Sequence, residues 1–555
     1  MTPTYALLCG SLFAVAGCAG SAASAADGGR GHVDGAVRAH DSASSDDATG
    51  HDVHSTGPHD AGTPDGRIRE SGALDVAARD AGGETPMNAY AFVNALGVNV
   101  HFDESDPDAG VYARRTQPSA DGGVPAYQDL QALGVAHVRS ALGKVSTQTE
   151  ARFVALHAHY RGISGAPITT LAVANPTEFP TQADLYAPLA AAGDAIDILE
   201  PCNEPNFQLG VGWEPLAATY QKDVFGWIYD GGYDGAAVAV SISALGGFPD
   251  MASYVDASYA FEGQGPWGVY QSVHSYPVNR APDGGEAVTY ALPSSGNLRT
   301  EVEERTVWCS PGSGGLTCPS SFPRAISSET GYCTCNTVSG PKCVSASGGA
   351  VTNGISETAQ AKYLPRLFVD TLAGGVSRVY FYELYDQGPP ASPVNQDHFG
   401  LLHADGTPKP AYQRLQRLLA TTAASSTGNV APLPLTVTAG GLRHLLLQNG
   451  VSHDYYLLLW NDVPSYDFTG QRYADAGCDG GASSGCDIQS SDVRATVSLG
   501  AGAPSFSTAA VTYLDPAHAS GDCSATLDPS SLSATSPGVS WTVCVPDEVT
   551  IVTLH

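Results

Sequence analysis

Ala195-Ile196-Asp197-Ile198-Leu199-Glu200-Pro201-Cys202-Asn203-Glu204-Pro205 is the stretch on which the fold turns. A short apolar run, Ala195 to Leu199, ends abruptly in polar residues and a proline, as a buried strand does where it reaches the rim of a sheet. A helical pattern precedes it from Thr181 to Ala191, and another follows from Leu216 to Tyr229. The same unit recurs on both sides. Strands are expected at Gly97–Phe102, Val135–Arg139, Ile168–Val173, Ala237–Ile242, Val269–Val273, just before Glu329, and at Arg378–Tyr382. Helices are expected at Ala126–Leu133, Thr147–Arg161, Met251–Phe261, from the Ser356 cap to Leu372 with a kink at Pro365, and at Pro410–Leu419. Eight strands alternate with helices, and the strands are apolar throughout, so both faces are covered. That pattern specifies an α/β chain with a closed parallel (β/α)8 TIM barrel. An open doubly wound sheet is the rival, but it wants a Gly-rich turn after its first strand, and none is present.

In such a barrel, chemistry gathers at the C-terminal ends of the strands. Polar groups stand at several of these ends: His101, Arg139, Asn203-Glu204, His274-Ser275-Tyr276, Glu329, and Glu383 with Tyr385. Burying such groups costs several kcal/mol unless they are paired, so a purely structural barrel has no reason to gather them at one mouth. Taken singly, Arg139 also reads as a surface ion pair and His101 as a structural histidine. Glu204 and Glu329 together say more. Each sits where a buried strand ends, and hydrolysis of a glycosidic bond needs two carboxylates facing each other across it.

Asn203-Glu204-Pro205 after strand four, His274-Ser275-Tyr276 after strand six and Ser328-Glu329-Thr330-Gly331 at strand seven resemble clan A of the retaining glycoside hydrolases, in its cellulase-like and β-xylosidase-like members. Val379-Tyr380-Phe381-Tyr382-Glu383-Leu384-Tyr385-Asp386, His398-Phe399-Gly400-Leu401-Leu402 and Asp405-Gly406-Thr407-Pro408-Lys409-Pro410-Ala411-Tyr412 are similar to that clan's ending. The resemblance spans about residues 88 to 420. Many clan members carry a stacking tryptophan on strand eight, whereas Tyr382 or Glu383 stands there in this chain. The resemblance implies that Glu204 is the general acid/base and Glu329 the nucleophile, with Asn203 bonding the sugar 2-hydroxyl. Arg139 and Tyr276 are placed to keep Glu329 ionised, and His274, His101 and Glu383 join them as substrate-binding candidates. No cofactor and no metal is expected. The partner is a carbohydrate, cleaved at a β-O-glycosidic bond. A non-catalytic carbohydrate-binding surface lipoprotein is the alternative from another class, and an adhesion module a third. Neither needs both glutamates.

Beyond about Thr421 the texture changes to short strands separated by Asn-Gly, Asp-Gly and Pro turns, which specifies a C-terminal antiparallel β-sandwich over 421–555. Its strands are expected at Leu435–Thr438, Leu442–Gln448, Tyr455–Trp460, Arg494–Leu499, Ala509–Tyr513, Val539–Val545 and Val549–Leu554. Trp460 and Trp541 read as core residues before they read as sugar platforms. The acidic stretch Asp475–Asp487 lacks regular calcium-loop spacing and reads as a disulfide hairpin. Of 12 cysteines, Cys478 with Cys486 and Cys523 with Cys544 are natural pairs. Cys309, Cys318, Cys333, Cys335 and Cys343 crowd strand seven, where disulfides are favoured over a metal site. Cys202 is either bridged to that cluster or a free buried thiol.

At the other end, Ala6 to Ala16 is an apolar run too short for a permanent membrane anchor and reads as an export signal. Val15-Ala16-Gly17-Cys18 is similar to the bacterial lipobox, which implies acylation at Cys18 and a leader over 1–18; the plainer alternative is a secretory signal cut near Ala23-Ser24-Ala25. Residues 19–86 are Gly, Ala, Asp, Ser and His with almost no large apolar side chain, so they read as a disordered tether before a barrel over 87–420. The histidines in it are irregularly spaced and suit a solvated linker better than a metal site. A formal charge of −30 excludes a nucleic-acid partner. Hydrophobic content of 43% over 555 residues, with 25 Tyr and 15 Phe, supports a large core. The chain is therefore expected to be exported, as a cell-surface lipoprotein or a secreted protein, touching membrane through its lipid alone.

Overall fold

The computed structural model describes residues 83–104, 110–120, 122–143, 148–209, 212–229, 233, 235, 238–244, 268–274, 276–277, 324–335, 354–461, 463–467, 486–488, 492–516, 518 and 540–555. Cys18 with the leader and most of the tether, the helix expected at Met251–Phe261, the insertion Pro282–Phe322 and residues 475–485 of the acidic stretch lie outside them.

Eight parallel strands close into a barrel in sequential order. They are β1 (Leu96–Asn99), β2 (His137–Ala141), β3 (Thr169–Val173), β4 (Ile196–Glu200), β5 (Ala239–Ile242), β6 (Tyr270–His274), β7 (Arg324–Thr330) and β8 (Arg378–Phe381). β1 pairs with both β2 and β8, which shuts the cylinder. Successive side chains of a strand point to opposite faces. Inward, Leu171, Val173, Ile198, Ile326 and Tyr380 pack with one another. Outward, Val98, Val138, Ala172, Leu199, Val240, Val379 and Phe381 join the core shared with the surrounding helices. Both faces thus carry apolar packing, with buried polar residues such as Ser140, Gln271 and Ser327 interspersed among them. Gly97 belongs to the inner packing, since a β-carbon there would drive into the Tyr380 ring.

The longer helices described are α1 (Pro125–Leu133), α2 (Gln148–His159), α3 (Gln182–Ala192), α4 (Trp213–Tyr229), α5 (Glu357–Ala373) and α6 (Pro410–Thr421), beside the short ones Ala89–Val93, Val111–Arg115 and Pro205–Gln208. Their boundaries follow local chemistry. Thr181 caps α3 by accepting from the Asp184 amide, and Ser356 caps α5 by accepting from Ala359 at 2.9 Å. Pro125 and Pro410 open α1 and α6, where a missing N–H costs nothing. Pro365 lies inside α5, which runs as one helix across it. β1 is shorter than its apolar run. Past Val100, Phe102 donates its amide to Ser140 Oγ at 3.1 Å and its carbonyl accepts from Arg152, so the chain leaves the ladder before His101.

The second module is a sandwich of β9 (Leu435–Thr438), β10 (Leu442–Gln448), β11 (Tyr455–Asn461), β12 (Val493–Leu499), β13 (Ala509–Tyr513), β14 (Ser540–Val545) and β15 (Thr550–Leu554). One sheet holds β10, β11, β15 and β13, with the two-residue strand Met87–Asn88 added in parallel at its edge; the other runs β9, β12, β14. The chain therefore enters the barrel from within the sandwich's own sheet. Between the sheets lie Leu446, Leu457, Leu459, Val497, Trp541, Val543 and Val552. The opposite face of the larger sheet, with Leu447, Tyr456, Leu458, Trp460 and Ile551, merges with the core of the barrel helices. Lys362 to Asp547 (2.8 Å) and Arg414 to Glu548 (3.1 Å) add ion pairs along the same contact. Both Trp460 and Trp541 are buried, so these two tryptophans are core. Among the described residues, no helix is long and apolar enough to cross a membrane.

Trp460 is 1% exposed. Trp460→Ala is expected to cost about 3–5 kcal/mol of stability, measured as a lowered denaturation midpoint, with no change in KM for a soluble oligosaccharide in the folded fraction. A raised KM with unchanged stability would make Trp460 a ligand platform instead.

Candidate active site

Period-two alternation inside the barrel builds the site one layer above the apolar plug. Asn99 stands two residues after Gly97, Arg139 two after His137, Glu200 two after Ile198 and His274 two after Ser272, so all four point inward at the C-terminal rim. Pairing shifts register next to His274 on β6 and between Ser327 and Thr330 on β7. Such irregularities re-aim side chains, and here they flank His274 and Glu329. The Gly331 that follows is required by close approach, because a β-carbon there would collide with the Tyr382 carbonyl oxygen.

Arg139 is the hub. Its Nε donates to Glu200 Oε2 (3.0 Å), and Nη1 donates to Asn99 Oδ1 (3.0 Å) and Glu329 Oε1 (2.6 Å). Nη2 donates to Asn203 Oδ1 (2.7 Å) and lies 3.5 Å from His274 Nε2. Glu329 Oε2 accepts from the Tyr276 hydroxyl at 3.0 Å. His274 Nδ1 sits between the two candidate carboxylates, 2.9 Å from Glu204 Oε1 and 3.5 Å from Glu329 Oε2. An oxygen of each carboxylate and a nitrogen of His274 all fall within 4.8 Å of one another. Glu204 occupies a left-handed backbone conformation (φ 41°, ψ 60°), which costs a residue with a β-carbon on the order of 1 kcal/mol. Pro205 then opens a one-turn helix, Pro205–Gln208, whose Phe207 and Gln208 amides bond back to the Glu204 carbonyl.

The two glutamates are equally buried, at 6% and 5% exposure, yet titrate in opposite directions. Burial raises the Glu204 pKa, and the negative charge of Glu329 adds to it, outweighing His274 and Arg139. Glu329 is also pushed up by burial, but His274, Arg139 and the Tyr276 hydrogen bond more than reverse that and hold it below the ordinary carboxylate range. His274 is depressed by burial and raised more strongly by Glu329 and Glu204, so it ends above its usual value. Burial, then Glu329, lift the Tyr276 phenol well above its usual value, which keeps it a donor.

Six of the residues singled out in the sequence thus form one connected network: Glu204, Glu329, Asn203, Arg139, His274 and Tyr276. His101 and Glu383 form a neighbouring one. Glu383 is fully buried and accepts from the Tyr112 hydroxyl (3.0 Å) and from Gln387 Nε2 (3.0 Å), with His101 Nε2 at 3.1 Å. The His101 ring meets Tyr382 edge-on, and Tyr382 packs on Tyr276 and Phe399. Tyr385 turns away from the mouth and bonds Asp129 on α1. Asn99, Glu200, Tyr112 and Gln387 were not singled out from the sequence. Extending β4 by one residue and counting by twos from Ile198 is the signal that finds Glu200. Cys202 and Cys333 are free buried thiols, so Cys333 stands apart from the disulfides expected around strand seven, whereas Cys335 and Cys544 are disulfide-bonded.

Glu204, His274 and Glu329 have the spacing of a metal site. Both Glu329 oxygens already accept hydrogen bonds, however, His274 Nδ1 faces Glu204, and the Arg139 cation adjoins Glu329 and His274. A divalent ion placed there would face the guanidinium at close range.

No protein-family model matches the sequence, and no curated protein matches it. Several solved structures are similar in fold. One is a family 39 glycoside hydrolase from the gut symbiont Bacteroides cellulosilyticus WH2, at 15% identity, covering 85% of this chain and 83% of that chain, with a TM-score of 0.48. Another is a putative beta-galactosidase from Bacteroides fragilis, at 11% identity, covering 73% and 53%, with a TM-score of 0.36. A third is Bacteroides uniformis beta-glucuronidase 2 covalently bound to cyclophellitol-6-carboxylate aziridine, at 10% identity, covering 76% and 47%, with a TM-score of 0.38. All three scores lie below one half, so the chemistry of this chain rests on its own residues.

The opposite titrations have opposite effects on stability. Glu204, with a raised pKa, contributes stability that is present below its unfolded pKa of about 4.3 and is lost as pH rises through the folded value. Glu329, with a depressed pKa, contributes stability that is present above about 4.3 and is lost as pH falls through its folded value. Glu204→Gln should therefore gain on wild type as pH rises above about 4.3, while Glu329→Gln should lose. Denaturation midpoints across pH check this; two variant curves parallel to wild type would contradict it.

Proposed function

We propose that this chain is a retaining glycoside hydrolase that cleaves β-O-glycosidic bonds of a polysaccharide or oligosaccharide through Glu204 and Glu329. One observation carries the proposal. Two buried carboxylates with opposite proton affinities approach to within 4.8 Å at the mouth of a (β/α)8 barrel. Retaining enzymes separate their carboxyl groups by about 5–5.5 Å, whereas inverting ones leave about 6.5–9.5 Å for a water. A binding module gains nothing from burying such a pair, because each carboxylate costs solvation that a sugar hydroxyl does not restore.

In the first half-reaction Glu204, protonated, gives its proton to the glycosidic oxygen as the bond to the anomeric carbon breaks. A Glu329 oxygen forms a bond to that carbon from the opposite face, and the aglycone leaves as an alcohol. Glu204, now ionised, takes a proton from water, whose oxygen attacks the anomeric carbon and releases Glu329 as a carboxylate. Arg139 and Tyr276 hold the nucleophile oriented and ionised. Asn203, with its Oδ1 fixed by Arg139, supplies an amide N–H for the sugar 2-hydroxyl. His101, with 14% of its side chain exposed and its Nε2 held by the fully buried Glu383, extends the sugar-binding wall. The leader sequence and the composition of 19–86 support an exported enzyme, tethered through a lipid on Cys18, with its catalytic domain held away from the membrane.

On aryl β-glycosides, Glu204→Ala and Glu329→Ala are each expected to lower kcat/KM by about 10²–10⁴-fold. Azide should restore turnover in both, giving the β-glycosyl azide with Glu204→Ala and the α-glycosyl azide with Glu329→Ala. Proton NMR of the wild-type reaction should show the β-anomer first. Hydrolysis untouched by either substitution ends the proposal, and a first-formed α-anomer replaces retention with inversion.

A further inference from the structure

Glu200 is a buried acid that the mechanism above does not use. It has no exposed surface, so it cannot touch a substrate. Its Oε2 accepts from Arg139 Nε at 3.0 Å, and its Oε1 accepts from the Ala244 amide of the β5 end at 3.1 Å. Its backbone carbonyl is held by the Ala174 amide at 2.8 Å, so the carboxylate cannot drift. We propose that Glu200 is a positioning residue: it locks the Arg139 guanidinium so that one N–H reaches Glu329 and another reaches Asn203. This rests on the glycoside hydrolase reading of the site.

The guanidinium geometry leads to this conclusion. Arg139 has five N–H donors in a rigid plane. Glu200 takes Nε–H, Asn99 and Glu329 share Nη1, and Asn203 takes Nη2 with His274 Nε2 beyond it. A guanidinium freed at Nε tends to swing into a two-pronged pair with the nearest carboxylate, which is Glu329. Asn203 would then lose the contact that orients its amide, and Glu329 would be gripped twice instead of once. Charge changes in the same direction. Glu200 offsets the Arg139 cation, and the titratable groups facing that cation are Glu329 from β7, His274 from β6 and Glu204 from the turn after β4; Tyr276 reaches it through Glu329. Without Glu200, both catalytic carboxyls experience a more positive site and give up their protons more readily.

The experiment is Glu200→Gln, a nearly isosteric loss of one charge, measured as kcat/KM against pH on an aryl β-glycoside. The expected result is a loss of about a hundredfold, the scale of a small misplacement of reacting groups. Both limbs of the bell should also move to lower pH, the acid limb through Glu329 and the alkaline limb through Glu204. A merely structural residue would lower the amplitude with the folded fraction and leave the bell where it was, and that outcome overturns the proposal. Should Glu200→Gln fold poorly, the cycle with Arg139→Ala decides, since the double variant removes both buried charges together. In the Arg139→Ala background, adding Glu200→Gln should change kcat/KM by less than about twofold; losses of equal size in both backgrounds overturn it. Wild type that hydrolyses no glycoside removes the functional reading and this inference with it. Wild-type activity dependent on Glu204 and Glu329, with an unmoved bell in Glu200→Gln, removes this inference alone.

Discussion

A guanidinium buried in the mouth of a barrel is the constraint from which the rest of the site follows. Removing Arg139 from water costs several kcal/mol, and the cost is offset only when every N–H has an acceptor and the charge has a partner. The barrel supplies those acceptors from four residues around its rim: Asn99, Glu200, Asn203 and Glu329. Asn99 in turn donates to the Ser328 carbonyl at 3.0 Å, so the same network reaches the backbone just before Glu329. Strand register and site chemistry are in this sense one requirement. A residue of slip in β2 would turn Arg139 to the outside and leave two carboxylates buried without a cation.

The same hub explains how two chemically identical side chains acquire two roles. Glu204 and Glu329 are buried to the same degree, so burial alone would raise both and leave the site with two acids. What separates them is donor count. His274 lowers both, but Glu329 also has Arg139 on one oxygen and Tyr276 on the other, whereas Glu204 has no such direct donors among the described residues and a negative neighbour. The environment thus shifts the proton affinities of the pair in opposite directions, Glu204 upward and Glu329 downward. Around this core, Tyr382, Phe399 and Tyr276 form an aromatic wall that joins the His101–Glu383 cluster to Glu329.

Much of this was legible in the sequence, for identifiable reasons. A strand covered on both faces is largely apolar on both, so β3, β5 and β8 announced themselves as hydrophobic runs, and Ser356 and Pro410 marked helix starts by capping chemistry alone. The abrupt change to polar residues after Leu199 and around Glu329 marked the rim. What was not legible depends on direction and register. Glu200 looks like the first loop residue in sequence but is the last inward position of β4, visible once the parity of Ile198 is known. Asn99 sits inside an apolar run and gains its role only from the Arg139 side chain on the next strand. The association of Met87–Asn88 with the sandwich could not be read locally, because two residues carry no periodicity and their partner strand lies some 360 positions away. Trp460 and Trp541 were read correctly as core, since short strands packed on two sides need large apolar side chains.

The most direct measurement is to treat the protein with an activated 2-deoxy-2-fluoro β-glycoside and locate any label by mass spectrometry of peptides. A covalent glycosyl ester on Glu329, formed by wild type and absent from Glu329→Gln, is the predicted result. Turnover of the parent glycoside with no ester formed, or an ester on Glu204 or Glu383, would contradict the assignment of Glu329 as the nucleophile held by Arg139.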